Sequence, residues 1–350
     1  VIFGSAENFS PDEVERQIQS SIHARELIQS HRPDVLSLIA RRRSVYHDAY
    51  GESAQLYLER TENALFLALA RMAVRYGSLG ADFHHYHNED HALEILDRRL
   101  GRLLGQKGVH ELPGKDWLAL SLFAACHDLR QRETSVFEHG VGHNERASIA
   151  ETHRILSQAG FDVVDDREIF ITLEIMIAGS TFNTGAQAPA VNPAEALATS
   201  GPLAPKLPEI LDQVLPAWRL DPFYVRATNL ACIASDLDTA NVGERFIELA
   251  NSATRLAAER EMRAKRGLNT AESGQSVLHF LTQGQEHYFF ELHQFCSPLG
   301  NAVFSNGKQH NAARMRKLID TLRTHFVHLP TESFSGEDVL AVHRQLSSSI

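Results

Sequence analysis

Cysteine, tryptophan and methionine are scarce in this chain: three, two and four among 350 residues. Cys126, Cys232 and Cys296 lie far apart and form no C-x-x-C pair, which excludes a disulfide framework. Cys126 and Cys232 sit in apolar runs, as expected of buried thiols kept reduced in a cytoplasmic protein. No stretch approaches ~18 consecutive apolar residues, so no transmembrane helix and no membrane partner are expected. The opening Val1-Ile2-Phe3-Gly4-Ser5 lacks the basic-then-apolar order of a secretory signal. Positive charge is also in deficit, with 34 Lys+Arg against 44 Asp+Glu and a net charge of −10. The longest basic run, Arg41-Arg42-Arg43, is short, and this balance opposes nucleic acid as a main partner. With 43% hydrophobic and 22% charged residues, the composition is that of a folded globular protein.

Strand-like alternation is missing too. Helical spacing predominates instead: Phe66 to Ala73, Leu93 to Leu104, and the nearly all-apolar Trp117 to Cys126, a buried helix expected to open near Asp116. Ser148 to Leu156 is amphipathic and is stopped by Gly160, while Arg167 to Ala178 and Tyr224 to Ala234 read as two further buried helices. The pattern predicts an all-α fold. Between Asn183 and Pro208 seven glycines and prolines accumulate, which reads as a linker or, preferably, a long surface loop. Ser347 to Ile350 is expected to fray.

What the chain has in excess is histidine, 19 residues in all. His87 and His91, in Tyr86-His87-Asn88-Glu89-Asp90-His91-Ala92, are four apart and would share one face of a helix. The plainer reading is a solvated polar helix start. His127-Asp128 ends the long apolar run, so both side chains should emerge from the core. A buried imidazole and carboxylate there need a partner, either a divalent cation or a salt bridge to Arg130 or Arg132. A second His-Asp pair, His47-Asp48, lies in a polar setting. Asp236 closes the apolar run Ala231-Cys232-Ile233-Ala234, with helix capping by Ser235 or Asp238 as the alternative. Taken together, His, His-Asp and Asp on buried helices supply a complete ligand set for one hydrated metal.

The order H…HD…D resembles the HD superfamily of metal-dependent phosphohydrolases. Within it, Tyr86-His87-Asn88-x-x-His91-Ala92 looks like the signature of class I 3′,5′-cyclic nucleotide phosphodiesterases. The interval from His91 to His127, the segment Ser148-Ile149-Ala150-Glu151-Thr152-His153, and Ala234-Ser235-Asp236-Leu237 are also similar to that family's. The resemblance implies an HD-type helical bundle over residues 76–330, with an N-terminal helical extension (1–75) and a C-terminal tail (331–350). It implies that His91, His127, Asp128 and Asp236 hold a first metal, zinc, and that Asp128 bridges to a second, magnesium or manganese. Hydroxide between the two would attack phosphorus. His87 would protonate the departing ribose oxygen, while Glu151 and His153 would orient waters around the second metal. The substrate implied is a cyclic nucleotide hydrolysed to its 5′-monophosphate, and a homodimer is compatible with the family.

The sequence departs from that family at several points. Gln131 stands where the family commonly has a further histidine, and Ala178-Gly179-Ser180-Thr181 lacks an expected aspartate. For the purine selector the best candidates are Gln285 and Phe290, at a spacing that fits loosely, and both types are common in helices and cores. His139 and His143 could complete a richer di-metal site with iron, as in HD-fold oxygenases, or belong to a solvated loop. Three rivals therefore stand beside the diesterase: a phosphohydrolase acting on another nucleotide or phosphorylated metabolite, an iron-dependent oxygenase, and a non-catalytic nucleotide sensor.

Overall fold

The computed structural model describes residues 2–3, 9–52, 54–107, 112–133, 136–182 and 200–350. In those residues the regular secondary structure is helical apart from one two-stranded hairpin, so the all-α expectation holds. No helix among them is long and apolar enough to cross a membrane. The chain divides into two compact units, the described residues of Val1–Thr181 with Pro202–Asp238, and those of Phe182–Gly201 with Thr239–Ile350.

The first unit opens with α1 (Glu13–Gln17), α2 (Ser21–His31), α3 (Pro33–Tyr50) and α4 (Gln55–Arg75). α5 (Glu89–Glu94) runs through a π-helical turn, Ile95–Arg99, into α6 (Leu100–Lys107). α7 (Gly114–Cys126) is apolar all round and buried from Asp116 to Cys126, as befits a central helix. Its one hydroxyl, Ser121, donates to the Trp117 carbonyl at 2.7 Å. α4 packs against α2, α7 and α8 (His143–Gln158), and α9 (Arg167–Gly179) against α7 and α8. The hairpin β1 (Phe137–Glu138) and β2 (Val141–Gly142) pairs Phe137 with Gly142 and Glu138 with Val141. Its two turn residues, His139 and Gly140, both have positive φ, the conformation a two-residue hairpin needs.

Past residues 183–199, which lie outside the described residues, Pro205 falls in the 3₁₀ turn Ala204–Lys206 and Pro208 in the first turn of α10 (Leu207–Val214). The expected loop is thus shorter at its C-terminal side, because proline in a first helical turn forfeits no hydrogen bond. α11 (Pro222–Thr239) completes the unit.

The second unit contains α12 (Phe246–Arg263), α13 (Ala271–His279), the short α14 (Gln285–His287) between two π-helical turns, α15 (Pro298–Phe326) and α16 (Gly336–Ser349). Ala257, Val277, Leu281, Leu322, Phe326, Val339 and Leu340 are among the residues of one core. The 3₁₀ turn Ala240–Gly243 crosses α15 so closely that a Cβ on Gly307 would overlap the Gly243 carbonyl. The described residues of 1–75, expected as an extension, belong to the first unit, where α3 and α4 pack against α7. Residues 331–350, expected as a tail, include α16, opened by a Ser335–Asp338 capping box and with Ser347 buried rather than frayed.

Candidate metal centre

Each candidate ligand lies within one turn of the end of a helix. Asn88 caps α5: its Oδ1 accepts from the Asp90 amide at 3.0 Å and its Nδ2 donates to the His84 carbonyl at 2.7 Å. The helix therefore starts at Glu89, and His87 precedes it instead of sharing its face with His91. The His87 ring still lies 6.4 Å from that of His91, and Tyr86 lies against both, 4.9 Å from His87 and 4.7 Å from His91. Glu89, next to the cap, pairs with Arg32 at 2.6 Å and accepts from the Ser78 amide at 3.0 Å. α7 ends at Cys126, leaving His127 at its cap and Asp128 just beyond.

Three side chains converge. His91 Nε2, His127 Nε2 and a carboxylate oxygen of Asp238 all lie within 4.8 Å of one another. His91 Nε2 is 2.9 Å from Asp238 Oδ1, and His127 Nε2 is 3.4 Å from it. Asp128 adds a second carboxylate, its Oδ2 3.1 Å from His127 Nε2 and 3.8 Å from His91 Nε2. Asp236, the expected ligand, is buried in the same helix as Asp238. Residues two apart project roughly 200° apart around a helix, so the two carboxylates do not share a face. α11 turns Asp238 toward the imidazoles. Arg99, fully buried on the π-helical turn after α5, donates to the Leu237 carbonyl at 2.9 Å and the Asp238 carbonyl at 2.5 Å, fixing that last helical turn.

The donor chemistry suits a cation. His127 Nδ1 is 3.1 Å from the Phe123 carbonyl, which can only accept, so Nδ1 carries a proton and Nε2 faces the two carboxylates. A bare lone pair there would oppose two negative groups. The position calls for a proton or a metal, and an imidazole locked by a backbone carbonyl is a common orientation for a metal ligand. Without a metal the proton is favoured. Burial works against it, but Asp128 and Asp238 outweigh burial and hold His127 well above its ordinary value. Burial likewise opposes the charge on Asp238, yet His127 and His91 keep its carboxyl well below the usual range. For His91 burial prevails over Asp238 and lowers the imidazole.

Gln131, where a histidine was looked for, donates from Nε2 to Asp128 Oδ1 at 2.8 Å, while its amide donates to the Tyr76 hydroxyl at 3.0 Å. Glu145, in the first turn of α8, was not singled out from the sequence. Burial pushes its carboxyl up to about 7, and it feels the charges of Asp128, His127 and His87. Its position just after the hairpin, among the acidic residues that ordinarily open helices, gave no signal of this.

The remaining expected site residues have other partners. Glu151 is fully buried in an ion network with Arg71 at 3.3 Å and Arg75 at 3.1 Å. His153 packs its ring 5.4 Å from Phe170. His143 sets its ring edge-on against Phe9, and His139 forms the hairpin turn. Gln285 and Phe290 belong to the second unit, where Gln285 is buried and Phe290 lies between Phe289 and the Arg316 guanidinium, 4.2 Å from its ring. Comparison with known protein families, with curated proteins and with solved structures finds nothing that matches this chain.

Proposed function

We propose that the cluster of His91, His127, Asp128 and Asp238 binds a divalent cation, zinc-like by its mixed imidazole and carboxylate donors, and that the protein is a metal-dependent phosphohydrolase of the HD type. The observation that carries this reading is the convergence of two buried imidazole nitrogens and one carboxylate within 4.8 Å, on motifs that resemble that superfamily. When bound, such an ion acidifies water and neutralises phosphoryl oxygens. The chain's own residues supply the rest. His127 is held in one tautomer by Phe123, Asp128 is oriented by Gln131, and Asp238 is seated by Arg99 on its helix end. His87, half-buried beside His91, is the imidazole that would pass a proton to a departing oxygen. Asp128 would also help to hold a second, more water-ligated ion.

The preferred reaction is hydrolysis of a phosphodiester, a 3′,5′-cyclic nucleotide giving its 5′-monophosphate. One observation favours a second reading, a different phosphorylated substrate: the ring expected to stack on a base, Phe290, is already engaged by Phe289 and Arg316. Product analysis separates the two. Metal-replete protein incubated with cyclic AMP and cyclic GMP should release 5′-monophosphates, and chelator or Asp128→Ala should abolish the release. Bound metal without those products moves the substrate to another phosphate ester. Full hydrolysis and metal content in His127→Ala would end the metal-centred reading.

A further inference from the structure

Residues 1–75 showed no chemistry in the sequence, yet the turn that carries His127 and Asp128 is gripped from the end of α4. Past Cys126 this turn has left the helix, and carbonyls at a helix end have no partners within it. One of them, Leu129 O, directly follows Asp128 and accepts from Arg75 Nη1 at 2.7 Å. The adjacent Tyr76 hydroxyl holds the Gln131 amide, and Gln131 in turn holds Asp128.

What aims Arg75 at that carbonyl is Asp12, in the N-terminal segment. Asp12 engages the guanidinium along one edge, with Nε at 2.7 Å from Oδ2 and Nη2 at 2.9 Å from Oδ1. Because a guanidinium is planar and rigid, a carboxylate paired with its Nε–Nη2 edge fixes where Nη1 points. Glu151, 3.1 Å from Nη2, neutralises charge but does not set that direction alone. Asp12 also caps α1, its Oδ1 accepting from the Glu15 amide at 2.9 Å, so the carboxylate is itself anchored. Arg154, paired with Glu15 at 2.7 Å, belongs to the same ion network and has no bond of its own to the turn; Glu15 reaches the turn through Arg130 at 3.3 Å, and Arg154→Gln leaves that contact in place.

We infer that Asp12 and Arg75 are positioning residues for the metal centre: Asp12 orients Arg75, and Arg75 fixes the backbone turn that presents His127 and Asp128. This rests on the metal-binding reading above. A purely structural network would tolerate the loss of Asp12 and of Arg154 alike at the metal site, whereas a positioning role separates them.

The experiment compares full-length wild type with Asp12→Asn, Arg75→Lys and Arg154→Gln. Asparagine caps helices as well as aspartate, so Asp12→Asn removes the charge and spares α1. Arg75→Lys keeps a positive charge beside Glu151 and removes the fork, giving a second route should either variant fold poorly. The readouts are cobalt(II) affinity by competition with a chelator and the visible cobalt spectrum, with helicity by circular dichroism as the check on folding. Asp12→Asn and Arg75→Lys should each bind cobalt about tenfold more weakly, the low end for outer-shell partners, with an altered spectrum. Arg154→Gln should bind as wild type does. Unchanged affinity and spectrum in folded Asp12→Asn and Arg75→Lys, or equal weakening in Arg154→Gln, would overturn the positioning role while leaving the metal centre standing. Wild type that binds no cobalt would overturn the metal reading, and the positioning role with it.

Discussion

Replacing Asp238 with asparagine tests the centre most directly, because it keeps the side-chain shape and removes one charge. In the metal-free protein Asp238 faces His91 at 2.9 Å and His127 at 3.4 Å. The His127 value is raised in the fold, so its contribution to stability is fully present below its ordinary 6.5 and is lost as pH rises through the raised value. The Asp238 value is lowered, so its contribution is present above 3.8 and is lost as pH falls through the depressed value. Together these groups stabilise the metal-free fold most between those limits. Removing one partner of a buried ion pair costs about 3–5 kcal/mol, and the lower figure applies because Asp128 still faces His127. Urea unfolding of metal-free wild type and Asp238→Asn at about pH 5.5 and about pH 9 should show that loss at the lower pH. The gap should narrow as pH rises, because wild type then buries an aspartate whose imidazolium partner has gone. Metal affinity should fall more than about 100-fold, beyond what outer-shell losses cost. Asp236→Asn is the counterpart. If it abolished metal binding while Asp238→Asn retained it, the assignment of the ligand to Asp238 would be wrong.

Gly77→Ala should disturb the His91 helix from a distance. An added Cβ would overlap the Glu89 carboxylate and stand 2.9 Å from Ala73 Cα, forcing Glu89 off Arg32 and the Ser78 amide. We expect destabilisation of about 3 kcal/mol by urea denaturation, as for a buried pair that loses a partner, and weaker metal binding; a wild-type midpoint would refute the packing argument. Cys126 is fully buried, and burial pushes its thiol up to about 12. Native protein treated with a thiol-reactive disulfide near pH 8 should leave Cys126 unmodified by peptide mapping, whereas unfolded protein should react at all three cysteines; native labelling at Cys126 would contradict its burial.

Much of the helical fold was legible from local pattern. α7 and α9 are apolar on every side and punctuated by turns, so their limits fall within a few residues of those expected. The start of α5 was legible in principle from Asn88 followed by two acidic residues, a capping signal that outranked the four-residue spacing of His87 and His91. Two features of the centre were not. Whether Asp236 or Asp238 reaches the imidazoles depends on how α11 is rotated, and Arg99, more than a hundred residues earlier, grips the carbonyls at that end. The role of Glu151 depends on Arg71 and Arg75, brought to it by the packing of α4 on α8.

These two cases share a cause. A motif records which residue types recur at a spacing, whereas a ligand set is fixed by which faces of distant helices are turned together. In this protein long-range arginine contacts set or hold several of those faces: Arg32 at the start of α5, Arg75 at the His127–Asp128 turn, and Arg99 at the end of α11. Each guanidinium reaches a capping segment or a carbonyl at a helix end, where the helix itself offers no partner. Two of the three, Arg32 and Arg75, come from the first 75 residues. The portion of the chain that displays no ligand motif thus contributes by holding helix ends in place, which spacing between side chains cannot encode.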